Sequence, residues 1–215
     1  MPKLTSIDLI DALSNANVAA FLRMIRWGEG TYSAVGYRTM FGGETFESYD
    51  DHPRRKITKK HGNQTLTSTA AGAYQFLSKT WDGLVKQYGF HDFTPRNQDL
   101  GAVALIAGRG ALQDVIEGRF ETAVNKCAKE WASLPGSPYG QPTVTMDKAR
   151  SIYLQNGGSE WDSKPSSAQQ SPQSSQSSGR GSPANGSANQ STQQKPQGVT
   201  LNGLWSQIAK WLTRK

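Results

Sequence analysis

Glu29 is the residue whose type and position most directly invite chemistry. In the run VAAFLRMIRWGEG, Val18, Phe21, Leu22 and Ile25 fall on one helical face, and Glu29, four residues beyond Ile25, continues it. Packing gives no reason to bury a carboxylate on that face. Burial would raise its pKa, because the charged form loses solvation. The C-terminal end of a helix also disfavours negative charge. Both effects favour a protonated acid, which general acid catalysis requires. The competing reading is a partly exposed glutamate at a helix end loosened by Gly28 and Gly30.

A second acidic group, GGETFESYDDHPRRK, holds Glu44, Glu47, Asp50 and Asp51. A two-carboxylate hydrolase would set one of them opposite Glu29. Asp50 or Asp51 serves equally well to organise the turn before Pro53, and that reading is preferred. His52 and His61 match no metal-ligand spacing, so neither a metal nor any other cofactor is expected. In STAAGAYQF, Ser68 and Thr69 are helix-start residues and Gly72 allows close backbone approach. Tyr74 offers an aromatic face and Gln75 an amide that both donates and accepts, a pair suited to a sugar. An ordinary helix start explains the same residues. WASLPGSPYGQP makes a stiff loop presenting Tyr139 and Gln141, or a surface turn with Tyr139 packed on the body. Cys127, between Val124 and Trp131, reads as a small core residue.

These residues need a scaffold. The chain has 215 residues, a net charge of +7 and 35% hydrophobic residues, enough for one domain plus segments that do not fold. One cysteine excludes a disulfide framework and Cys-rich metal sites. No window reaches the roughly 18 apolar residues of a membrane span. Residues 1–17 read as an N-terminal extension forming a short helix, with Ser6 as its N-cap. Residues 18–158 are the expected catalytic domain. Within it a helix covers 18–28, turns and short strands fill 36–60, and helical patterns run from 76 onward in three stretches. The fold class is α+β, mostly α-helical, with a small β-sheet in the first half.

Residues 159–198 form the expected linker; 163–198 alone contain 11 Ser, 8 Gln, 4 Pro and 4 Gly, too little apolar surface to offset ordering. Such a linker reaches roughly 30–36 Å. Residues 199–215 follow as a cationic amphipathic helix, with Leu201, Leu204, Trp205, Ile208 and Leu212 at helical spacing, Trp211 beside them, and Lys210, Arg214 and Lys215 at its end.

The strings FLRMIRWGEGT, GGETF, YDDHPRR, STAAGAYQ and ASLPGSPYGQ, together with the helical stretch containing RGAL, resemble in order and spacing the lambda-type phage endolysins, lytic transglycosylases of the lysozyme superfamily. The resemblance covers residues 18–158. It implies a lysozyme-like fold and cleavage of the β-1,4 bond between N-acetylmuramic acid and N-acetylglucosamine in peptidoglycan. It places the catalytic glutamate at Glu29. That residue protonates the leaving oxygen and then acts as base toward the C6 hydroxyl, giving a 1,6-anhydro sugar. By the same resemblance Tyr139 lines the cleft, Tyr74, Gln75 and Gln141 hold glycan, and Ser68 assists. Ala73 stands where the family string carries Arg, so any contact of that Arg is lost. A hydrolysing lysozyme of the same fold and a non-catalytic wall-binding phage module are the alternatives.

The N-terminus, broken by Asp8 and Asp11, is no secretory signal, so synthesis in the host cytoplasm is expected. Action in the periplasm or wall would follow release through a holin-type hole, or delivery by a virion. A monomer is expected. The body carries only +4 and shows no basic reading helix, which argues against nucleic acid as a partner. For the tail, the aromatic face (Leu204, Trp205, Ile208, Trp211, Leu212) and the cations (Lys210, Arg214, Lys215) fit an anionic bacterial envelope. A tail packed back on the body is the competing arrangement. Deleting residues 199–215 is expected to reduce both liposome binding and killing of intact cells; unchanged values for both would contradict an envelope role.

Overall fold

A computed structural model describes residues 4–61, 64–138 and 143–161. The chain begins with α1 (Ser6–Leu13) and α2 (Ala16–Gly28), then a short 3-10 turn at Ala34–Arg38. Strands β1 (Ile57–His61) and β2 (Gln64–Ser68) pair antiparallel, with Ile57 opposite Ser68 and Lys59 opposite Leu66. Five helices follow: α3 (Ser78–Tyr88), α4 (Pro95–Gly108), α5 (Leu112–Ile116), α6 (Phe120–Cys127) and α7 (Met146–Gln155). The class is the expected one, mainly helical with one small sheet.

α2 runs through the middle of the core. Val18, Ala20, Phe21, Leu22, Met24 and Ile25 are all buried on it. It packs against α1, α4, α5 and α7. Phe21 meets Phe120 and Tyr153 edge-on, at ring separations of 6.2 and 6.5 Å. Residues 4–17 contribute to this body: Leu9 of α1 is fully buried, and Ser6 Oγ donates to Tyr88 O at the end of α3. That bond corrects one expectation. The N-cap of α1 is Thr5, not Ser6, in a capping box where Thr5 N donates to Asp8 and Asp8 N to Thr5 Oγ1. At α2, Asn15 accepts from Asn17 N and Val18 N and starts the helix two residues before the expected 18.

A second aromatic cluster supports the loop that faces α2. Trp81 is fully buried and packs on Phe76, Phe90 and Phe93, with the Phe93 ring 4.6 Å away. His52 lies against Phe93 in the same cluster. Its Nε2–H donates to Phe76 O at 2.9 Å and its Nδ1 accepts from Arg54 N at 3.0 Å. These bonds use the neutral ring, and burial pushes the His52 pKa down accordingly. Asp51 shapes the turn around Pro53: it accepts from His52 N at 2.7 Å and pairs with Arg54, which also bridges to Asp82. Asp50 is exposed.

Residues 68–76 are the main departure from the sequence reading. They do not start a helix; α3 begins at Ser78. Instead Ala71 bridges to both Met40 and Phe76, closing a tight loop. Gly72 adopts φ +78°, and a side chain there would collide with Gln98 and Phe93. Gln98, fully buried on α4, ties this loop to its surroundings: its Oε1 accepts from Ala73 N, while its Nε2 donates to Tyr37 O and Phe93 O. The pattern read as helical after 76 is also interrupted, since Gly110 (φ +66°) separates α4 from α5, and α6 stops at Cys127. Cys127 is fully buried, and burial pushes its thiol up to about 12. That is an inert core thiol.

Candidate active site

α2 delivers Glu29 as its C-cap residue, with its N–H bonded to Ile25 O at 2.8 Å. The chain beyond it is tied down from two sides. Thr31, buried, donates from Oγ1 to Ala73 O at 2.5 Å, joining the end of α2 to the 68–76 loop. The Arg26 guanidinium donates to the carbonyls of Thr31, Tyr32 and Ser33 and to the Tyr37 hydroxyl, and it stacks 4.2 Å over the Tyr37 ring. The Tyr37 and Tyr74 hydroxyls both donate to Asp99 Oδ1, at 2.9 and 2.6 Å. Burial nevertheless pushes the Asp99 pKa up. This chain of bonds, Arg26 to Tyr37 to Asp99 to Tyr74, braces the floor of the site.

Glu29 lines an open cleft together with Tyr74, Gln75, Leu77, Glu130 and Trp131. Its side chain is buried, only 3% exposed. Ser133 Oγ donates to Glu29 Oε1 at 2.7 Å. Burial pushes the Glu29 pKa from 4.5 up to about 7, and the Ser133 bond pulls the other way. No neighbouring carboxylate adds to that shift. Near neutral pH this residue therefore holds a proton that it can both give and take back.

The other residues singled out from the sequence are placed as follows. Tyr74 lines the cleft, but its hydroxyl is committed to Asp99 and its carbonyl accepts from Trp131 Nε1. Gln75 also lines the cleft, at φ +51°, a backbone conformation rare for a side-chain-bearing residue. Its Nε2 donates to Gly72 O and Thr39 O, and its buried Oε1 has no hydrogen-bond partner among the described residues. Ser68 is not among the cleft-lining residues; its Oγ accepts from Ala70 N in the turn after β2. Asp50 and Asp51 do not line the cleft either. Tyr139, Gln141 and the tail residues 199–215 lie outside the described residues.

Two residues of the site, Ser133 through its bond to Glu29 and Glu130 in the cleft lining, were not singled out from the sequence. Ser133 sits inside the ASLPG string without any mark of its own. Glu130, just beyond α6, lines the cleft. Its Oε2 takes both Nε (2.8 Å) and Nη2 (2.6 Å) of Arg109. The RGAL string therefore reaches the cleft through that pair.

The structure matches the solved lysozyme of bacteriophage lambda in complex with a chitohexasaccharide, at a TM-score of 0.63 and 36% sequence identity, covering 75% of this chain and all of that one. A second structure of the lambda lysozyme matches with a TM-score of 0.60. The fold is lysozyme-like, and with the acid buried in its cleft it defines a glycosidase of the lysozyme class. The endolysin family model matches residues 19–160. The endolysin of Escherichia phage lambda is 42% identical over 146 residues, 65% of this chain and 90% of that protein. That of Escherichia phage P2 is 38% identical over 160 residues, 67% of this chain and 95% of that protein. This chain belongs to the endolysin family, the peptidoglycan-degrading enzymes of phage lysis.

The Glu29 shift carries a stability consequence. Its folded pKa, about 7, lies above its ordinary 4.5, so the native state holds the extra proton between those values. The associated stability is fully present below pH 4.5 and is lost as pH rises through about 7. Glu29→Gln removes the ionisation. Relative to the parent it should gain roughly 3 kcal/mol between pH 4 and pH 8. Denaturant unfolding at several pH values measures this, and a difference independent of pH would contradict the buried acid.

Proposed function

We propose that this endolysin is a lytic transglycosylase. It cuts the β-1,4 bond between N-acetylmuramic acid and N-acetylglucosamine and leaves 1,6-anhydromuramic acid. Glu29 donates its proton to the glycosidic oxygen as the bond to C1 breaks and its electron pair leaves with that oxygen. The C6 hydroxyl oxygen of the same muramic acid then bonds to C1. Its proton returns to the Glu29 carboxylate, which restores the acid. No water is consumed, and the nucleophile comes from the substrate.

The observation that carries this reading is that the other carboxylate lining the cleft, Glu130, is engaged by Arg109, which leaves Glu29 as the cleft carboxyl not paired with a cation among the described residues. A hydrolase would need a second carboxylate, as nucleophile or as base for water. Asp51 is held by Arg54, away from the cleft lining. The other cleft carboxylate, Glu130, is bound by two nitrogens of Arg109, and no carboxylate charge perturbs Glu29. A pKa near 7 suits a group that must act as acid and base in one cycle. The lambda lysozyme crystallised with a chitohexasaccharide, a β-1,4-linked N-acetylated glycan, supports a glycan in the equivalent cleft. There Tyr74 and Gln75, both lining the cleft, would border a bound sugar. Hydrolysis stays as a second reading because Glu130 does line the cleft. It would use Glu130 rather than Asp50 or Asp51.

Digestion of purified Gram-negative peptidoglycan followed by mass spectrometry distinguishes the two. Transglycosylation yields muropeptides about 18 Da lighter than hydrolysed ones, the mass of one water, and Glu29→Gln abolishes their release. Hydrated reducing ends that disappear in Glu130→Gln would contradict the proposal and establish hydrolysis.

A further inference from the structure

We propose that Ser133 is a positioning residue that divides the two oxygens of the Glu29 carboxyl: it engages Oε1 and leaves Oε2 to give and recover the proton. The proposal rests on the acid–base reading of Glu29. A serine hydroxyl has a single hydrogen, and here it is donated to Oε1 at 2.7 Å. Among the described residues Ser133 is the only hydrogen-bond partner of that carboxyl. With Oε1 accepting, the proton of the neutral acid belongs on Oε2. When that proton leaves, the carboxylate becomes charged and the bond from Ser133 strengthens. The interaction is thus worth more as the leaving oxygen is protonated than before, which is the condition for accelerating the step.

The surroundings fix Ser133 for this purpose. It is 3% exposed, and its carbonyl accepts from Val144 N at 2.9 Å. Two residues earlier, Trp131 donates to Tyr74 O and anchors the same loop. Opposite, α2 presents no side chain. A Cβ at Gly28 would lie 2.9 Å from Ser133 Oγ and 3.3 Å from its Cβ. Gly28 is within the helix and needs no left-handed backbone, and glycine weakens a helix relative to alanine. Its place there is explained by the approach of Ser133. The hydrogen bond also favours the ionised form, so it holds the Glu29 pKa below the value that burial alone would set.

The test compares the full-length parent chain with Ser133→Ala, Gly28→Ala and Glu29→Gln, following turnover of solubilised glycan strands from pH 5 to 9. In Ser133→Ala the alkaline limb of kcat/KM should move upward by about half to one pH unit, because the acid keeps its proton longer. Its kcat should fall by about tenfold or more with KM little changed. Gly28→Ala, which displaces Ser133 without removing its hydroxyl, should move the limb the same way. A limb unmoved in both variants, whatever their kcat, would overturn the proposal and leave Ser133 a packing residue. Activity retained in Glu29→Gln would instead overturn the underlying reading of Glu29, so the two failures are distinguishable.

Discussion

The structure turns on a carboxyl group that is almost entirely removed from water. Glu29 sits at the C-terminal end of the central core helix, the end that least tolerates negative charge, and it is buried with one hydroxyl as its described polar partner. Left to relax, such a group would swing into solvent. It is held by the rigidity of what precedes and follows it. The buried face of α2 fixes the helix, and Arg26 ties the three carbonyls after the turn. Thr31 stitches that turn to the 68–76 loop, which Gln98 and His52 hold in turn. These bonds hold the segments on either side of the acid.

The proposed mechanism asks this cleft to work with one catalytic carboxyl. A pair of interacting carboxylates sets its pKa values by mutual repulsion. Here desolvation does the work, with Ser133 as the moderating influence. The second cleft carboxylate is neutralised by Arg109, and the acidic residues near Pro53 are spent on a turn. A substrate that brings its own hydroxyl nucleophile fits this economy of groups. The Arg26–Tyr37–Asp99–Tyr74 chain is the more costly part of the arrangement, since it places an aspartate under aromatic cover. Two hydroxyl donors on one of its oxygens offset that burial.

Much of this was legible in the sequence, for local reasons. Glu29 continues an apolar helical face, and that periodicity survives folding unchanged. The class of fold and the core role of Cys127 follow from similarly local patterns. The 68–76 segment misled because Ser68 and Thr69 are helix-start residues by type, whereas a buried glutamine 25 residues beyond Ala73 decides the conformation; the close approach read at Gly72 is what the loop uses. Thr5 displaced Ser6 as cap because Ser6 has a partner 82 residues away. Ser133 lies 104 residues from Glu29, and Glu130 owes its position to Arg109, so no window of sequence marks either. Long-range polar contacts built the parts that spacing could not show.

The claim at the centre is that Glu29 is a neutral acid up to about pH 7. The direct measurement is an NMR titration of the glutamate side-chain carboxyl carbons in the full chain, with the Glu29 resonance assigned by its absence in Glu29→Gln. The account predicts a midpoint near 7 for Glu29, well above the ordinary glutamate value. A midpoint near 4.5 would mean that the carboxyl is solvated, and the single-acid mechanism would lose its physical basis.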